Sequence, residues 1–255
     1  MSLKVTFLGT GTSQGVPLIA CKCHVCISGD SLDKRLRSSV MVEQDGVRVV
    51  IDTGPDFRQQ MLREEVERLD AVVFTHEHKD HIAGLDDIRA FNFSQNSAMD
   101  VYGTERVHKA LKREFAYIFD DNPYPGIPKI NIHQIDHRPF RVNGMEIIPI
   151  EVFHYKLPVL GFRIGDFTYI TDANRIEDTE KEKISGSRVL VLNALRREAH
   201  ISHFTLDEAI ALSKELGVEK TYLTHISHQL GRHQETEQEL PGNIRLAYDG
   251  LMITV

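Results

Sequence analysis

Residues 75–84 read "THEHKDHIAG", and within six positions this run offers His76, His78, Asp80 and His81. Imidazole together with carboxylate suits zinc, manganese or iron, and such ions need several of these groups to converge. No ordinary packing role explains four ligand-type side chains placed directly after "DAVVF", an apolar stretch that reads as a strand. Four are too many for one open tetrahedral catalytic site and too few for two. The remaining ligands must come from elsewhere in the chain.

Three more segments share the same design. "IIPIEVF" ends at His154, "FTYIT" at Asp172 and "KTYLT" at His225, each a β-branched or aromatic run with a histidine or aspartate just past its end. Taken singly, each is a loop histidine or a capping aspartate. Together with the first run they make seven ligands, enough for a pair of divalent ions if the Asp172 carboxylate bridges them. Helical patterns intervene at 104–114 and 205–217, where apolar residues recur at three- and four-residue spacing. Strands and helices mixed on this scale predict an α/β layered sheet protein.

Nearer the start, "KVTFLG" reads as the first strand, and "SSVMVEQ" with "VRVVID" as a hairpin about Asp45-Gly46. Pro55 suits the first turn of a helix through "DFRQQMLREE". "GTGTSQG" at 9–15 is read as a turn, because its third glycine comes one position late for a dinucleotide-binding loop.

All three cysteines, Cys21, Cys23 and Cys26, fall in "CKCHVC". An odd number so tightly grouped reads as a metal site rather than a disulfide framework. Its fourth ligand could be His24, His228, His233 or water. If "THISH" forms a helical turn, His225 and His228 lie on one side, spaced to serve neighbouring ions.

The bulk numbers frame these motifs. The 255 residues fit one domain, 1–255, with 41% hydrophobic and 26% charged residues. The apolar opening is too short for a secretory signal and no later run reaches membrane-span length, so a cytoplasmic location without a membrane partner is expected. The formal charge is −7, and the chain lacks a Lys/Arg stripe, which disfavours nucleic acid as a partner and favours a small molecule. Oligomeric state stays open, a homodimer among the options.

The H-x-H-x-D-H run with its later strand-end histidine, aspartate and histidine resembles the metallo-β-lactamase-fold hydrolases. "VTFLGTGTSQGVP" resembles the opening strand and turn of that superfamily, and "IDTGPD" its second motif. The fold this resemblance implies is a four-layer αβ/βα sandwich with the metals at one edge. It also implies one ion on His76, His78 and His154, a second on Asp80, His81 and His225, and Asp172 bridging. Asp52 matches an aspartate that supports the ligands from behind, while its plainer role would be to cap the helix near Pro55.

The C-x-C-x-x-C loop, with a histidine just after the last active-site histidine, resembles the branch of phosphoribosyl cyclic phosphodiesterases. That resemblance assigns Cys21, Cys23, Cys26 and His228 to one structural zinc. It also places a non-ligand histidine, the general acid, at His203, with His200 as the alternative, and puts Lys156 within reach of a substrate phosphate. The expected activity is a dinuclear metal-dependent phosphodiesterase, with zinc or manganese and also iron as candidate ions, opening a small cyclic phosphodiester of a sugar or nucleotide. Two ions sharing a water would lower its pKa and aim the resulting hydroxide at phosphorus. The alternatives are a tRNA 3′-processing endoribonuclease, a thioesterase or lactamase, and a non-catalytic metal-binding scaffold. Against the ribonuclease, 103–135 holds no glycine-rich basic arm.

Overall fold

The computed structural model describes residues 2–120 and 124–255. The first sheet is built from β1 (Lys4–Gly9), β2 (Ser39–Gln44), β3 (Val47–Ile51), β4 (Ala71–Val73), β5 (Met99–Gly103) and β6 (Ile130–Gln134). The second uses β7 (Phe140–Val142), β8 (Met145–His154), β9 (Leu157–Ile164), β10 (Phe167–Tyr169), β11 (Val189–Asn193), β12 (Lys220–Thr224) and β13 (Ile244–Leu246). A last strand, β14 (Met252–Thr254), returns to the edge of the first sheet beside β1.

Both sheets follow one plan. In the first, β1, β2 and β3 pair antiparallel, and β3 to β6 continue in parallel. In the second, β7 to β10 are antiparallel and β10 to β13 parallel. The parallel strands are covered on both faces, which is why "AVV" in β4 and "VLVLN" in β11 read as nearly unbroken apolar runs. The β2–β3 hairpin turns on Asp45 and Gly46, both at positive φ, as an Asp-Gly pair of this kind does.

The helices are α1 (Phe57–Arg63), the single turn α2 (Lys79–Ile82), α3 (Arg89–Gln95), α4 (Glu105–Glu114), α5 (Asp178–Ile184), α6 (Leu206–Leu216) and α7 (His233–Glu239). Facing strands of the two sheets enclose one core, in which Phe7, Val49 and Val73 meet Phe162, Phe167 and Tyr169. Phe57, Met61, Phe91, Val107 and Leu111 close the outer face of the first sheet, and Ile184, Leu206, Ala209 and Leu212 that of the second. The result is the αβ/βα sandwich. Each fully buried aromatic or branched side chain contributes about 1.5–3 kcal/mol, so the buried centre of each sheet is the rigid part on which the strand ends are mounted.

Two local expectations change. Pro55 lies in the turn before α1 rather than in its first turn, and Asp56 occupies the N-cap position. Segment 225–228 is not helical, because Ile226 forms a bridge with Gly11. The helices expected at 104–114 and 205–217 are α4 and α6, and Thr205 with Glu208 closes a capping box on α6.

Candidate metal centre

The strand-end histidines and aspartates meet where β4, β8, β10 and β12 run out. In an open α/β sheet this carboxyl edge is where ligands bind. Asp52, Asp172 and His225 each follow a strand at positive φ, 66°, 54° and 56°. Left-handed backbone is disfavoured for side chains with a Cβ and is kept where the surroundings over-determine it. Here it kinks the chain at the end of the strand, so each side chain turns inward. Close backbone approach fixes the Asp80 loop as well: a Cβ on Gly54 would stand 2.2 Å from the Asp80 carbonyl oxygen.

Asp172 is the centre of the cluster. It groups with His76 and His81, with Asp80 and His225, and with His154 and His203, ligand atoms in each set lying within 4.8 Å of one another. His76 Nε2 and His78 Nδ1 are 3.0 Å apart, a separation that suits two donors aimed at one ion. His81 Nε2 lies 3.1 Å from both Asp80 Oδ2 and Asp172 Oδ2. Thus the structure brings together all seven residues singled out in the sequence, with His203 in addition.

The donor set fits a divalent cation. His81 Nδ1 is 2.7 Å from Asp52 Oδ2, while His81 Nε2 faces the carboxylates of Asp80 and Asp172. A carboxylate on one ring nitrogen fixes the tautomer and directs the other nitrogen's lone pair into the cluster, as metal-binding histidines require. Burial alone would lower the His81 pKa, yet Asp80, Asp172 and Asp52 hold it well above the usual histidine value. His76, by contrast, is pushed well down by burial and then by His81. A site with this surplus of carboxylate draws positive charge.

Asp52 itself does not reach the open side of the cluster. It is fully buried and accepts hydrogen bonds from the backbone N–H and hydroxyl of Thr75, each at 2.8 Å, besides facing His81. Nor does it cap α1. Its place is behind the ligands.

His203 and His200 are now distinguished. The His203 ring packs 4.6 Å from His154 and 4.9 Å from His225, and its Nδ1 lies 3.8 Å from Asp172 Oδ1 with no hydrogen-bond partner. Burial first, then His225, lowers its pKa to about 3. His200 lies one ring further out, 5.0 Å from His203, its Nδ1 near the Ser202 hydroxyl at 3.3 Å. Lys156 is exposed in the β8–β9 hairpin loop, its Nζ 5.3 Å from the Tyr155 ring.

The three cysteines gather with His228, not with His24 or His233. His228 Nδ1 is 3.2 Å from Cys23 Sγ and 3.5 Å from Cys21 Sγ. His228 above all, then the Cys26 backbone N–H, pulls the Cys23 thiol down to about 6, whereas burial pushes Cys26 up to about 11. A Cys₃His set suits zinc. His225 and His228 face different centres, with Ile226 between them bridged to Gly11.

Several supporting residues carry little sequence signal. Ser38 Oγ lies 3.2 Å and Thr12 Oγ1 3.3 Å from the His225 ring nitrogens, and the Ser202 carbonyl 2.9 Å from His154 Nδ1. Thr75 could have been found, since it directly precedes His76 at the strand end.

Residues 47–226 match the model of the beta-lactamase superfamily domain. A curated octanoyltransferase of Porphyromonas gingivalis is 40% identical over 252 residues, 98% of this chain and 51% of that protein. Coenzyme PQQ synthesis protein B of Methylorubrum extorquens is 30% identical over 155 residues, 49% of this chain and 50% of that one. The chain thus spans about half the length of the curated relatives it matches. Among solved structures, a diphosphatase of the PhnP family is 42% identical with a TM-score of 0.94, covering 100% of this chain and 98% of its own. Zinc-bound PqqB of Methylobacterium extorquens shares the fold at a TM-score of 0.80 and 18% identity, covering 98% and 99%. Among the described residues no helix is long and apolar enough to cross a membrane. On the strength of its sheets, its strand-end cluster and these matches, the chain belongs to the beta-lactamase superfamily and has the metallo-β-lactamase fold.

Proposed function

We propose that the protein hydrolyses a small phosphodiester, most simply a cyclic phosphodiester of a sugar or nucleotide. The observation that carries this reading is His203: buried against Asp172, with an Nδ1 that makes no hydrogen bond among the described residues. Cleaving a phosphodiester expels an alkoxide, which needs a proton, whereas a thiolate leaves unaided. A histidine placed beside the cluster but outside the seven-residue ligand set has the right chemistry for that proton.

Two divalent ions held by His76, His78 and His154, and by Asp80, His81 and His225, with Asp172 between them, would supply Lewis acidity and acidify water. Asp52 holds the His81 ring by its Nδ1, and the Ser202 carbonyl holds His154 by its Nδ1. His203 hands a proton to the leaving oxygen, and His200, further out, helps to wall the substrate. Cys21, Cys23, Cys26 and His228 would hold a third ion, zinc, which would tie the loop after β1 to the segment after β12.

The diphosphatase of the PhnP family favours a second reading, in which the scissile bond lies in a diphosphate. The octanoyltransferase name belongs to a protein about twice this length, and it makes an octanoyl thioester a necessary control. Protein loaded with manganese or with zinc is assayed on a ribose cyclic phosphodiester, a dinucleoside diphosphate and an octanoyl thioester. Turnover of the cyclic ester above the other two supports the proposal. A preference for the diphosphate or the thioester overturns it.

A further inference from the structure

Asn193, the last residue of β11, is fully buried. Like the ligand residues it is a polar side chain closing an apolar run, yet it points at no member of the cluster. Its Oδ1 accepts the Ala173 N–H at 2.9 Å and its Nδ2 donates to the Ala173 carbonyl at 2.9 Å. Backbone pairing between β10 and β11 is spent by Ile170, whose N–H reaches the Val191 carbonyl. Beyond that point the Asn193 side chain takes over the role of a strand neighbour, clamping both groups of one peptide residue.

That residue sits between two functional positions. Ala173 directly follows Asp172, whose left-handed backbone needs something to hold the chain beyond it. The Ala173 carbonyl also accepts the N–H of Phe204 at 2.8 Å, and Phe204 directly follows His203. The Phe204 carbonyl in turn accepts the Leu195 N–H at 3.0 Å, which closes a ring back to the chain just after Asn193. One buried amide is therefore common to the backbone that carries the central carboxylate and the backbone that carries the unpartnered histidine.

We propose that Asn193 is a positioning residue that sets Asp172 against His203, and through Asp172 the geometry of both metal positions. The inference rests on the two-ion reading of the cluster and on the proton-transfer role of His203, but not on the identity of the natural substrate. Asn193→Asp keeps the shape and the acceptor for the Ala173 N–H, while replacing the Nδ2 donor. Asn193→Ser removes the same amide with a smaller side chain, and serves in its place should the first variant not accumulate folded.

The test uses the full chain loaded with cobalt, with two readouts. The visible spectrum and the affinity for the active-pair ions are measured first, since neither needs a substrate. Steady-state hydrolysis of bis-(p-nitrophenyl) phosphate follows. We expect an altered cobalt spectrum, about tenfold to a hundredfold weaker binding of the active-pair ions, and a comparable loss in kcat with KM little changed. The cysteine site should stay loaded. A lowered thermal midpoint with wild-type spectrum, metal affinity and kcat would mean that Asn193 only stabilises the fold, and would overturn the proposal. If wild-type protein binds cobalt but turns over no phosphodiester, the functional reading fails while the spectrum and affinity still decide the positioning claim.

Discussion

His81 Nδ1 lies 2.7 Å from Asp52 Oδ2, with both side chains wholly buried. The pair stands at the joint between strand β3, which delivers Asp52, and the H-x-H-x-D-H loop, which delivers His81. Because Thr75 gives its N–H and its hydroxyl to the same carboxylate, one aspartate fixes both ends of that loop. Replacing it with asparagine preserves shape but weakens the hold on the His81 tautomer. We expect Asp52→Asn to lower metal affinity or activity by about tenfold to a hundredfold, measured by titration with zinc against a chromophoric chelator. Unchanged affinity and activity would remove Asp52 from the positioning role.

The two candidate histidines should separate cleanly. His203→Ala is expected to lower kcat on a ribose cyclic phosphodiester, whose leaving group is an alkoxide, by about 10²–10⁴-fold, with both active-site ions retained. His200→Ala should have a much smaller effect, since its ring lies beyond that of His203. An ester with a good leaving group, which needs little proton transfer, should be the least affected by His203→Ala. Equal losses in the two variants would contradict the assignment.

Cys23 lies nearest to His228, and the thiolate character that His228 imposes makes it the most metal-ready of the three thiols. Cys23→Ser should reduce bound metal from about three ions per chain to about two, by elemental analysis. It should also lower the thermal midpoint, because the loop after β1 loses its tie to the segment after β12. Full metal content at unchanged stability would rule out the structural site.

Acid sensitivity should arise partly away from the metal centre. His233 is buried with its Nδ1 3.0 Å from Arg35 Nη2, and burial followed by Arg35 lowers its pKa to about 4. The folded value lies below the unfolded value near 6.5, so the unfolded chain binds the extra proton in between. The contribution is fully present above pH 6.5 and is lost as the pH falls towards 4. His108, lowered to about 4 by burial and then by Lys112, acts in the same direction. His233→Gln should flatten the fall in denaturant stability between pH 6.5 and 4 by up to one proton's slope. An unchanged slope would show that the ring titrates normally.

Much of this architecture was legible in the chain because strand-end ligands leave a strong local mark. An apolar run followed by histidine or aspartate occurs at His76, His154, Asp172 and His225, and each one lands at the cluster. The sandwich arrangement itself came from resemblance, since nothing in the spacing says which strands share a sheet. What the sequence withheld depends on contacts distant along the chain. Asn193 meets Ala173 twenty residues away, and Ser38 meets His225 across 187 positions. His200 and His203 likewise differ only in space, His203 packing on His154 and His225 and His200 lying one ring further out. The helical turn considered for 225–228 failed for a similar reason: Ile226 pairs with Gly11, a partner that local propensity cannot reveal.

The central claim is phosphodiester hydrolysis by a carboxylate- and imidazole-held pair of ions. Its most direct test is the turnover of bis-(p-nitrophenyl) phosphate by protein loaded with manganese or zinc. Asp80→Ala, a β-lactam and an octanoyl thioester run alongside. The account predicts metal-dependent turnover of the phosphodiester alone, abolished in Asp80→Ala although the cysteine site remains loaded. Thioester or lactam turnover in its place, or full phosphodiester activity in Asp80→Ala, would contradict it.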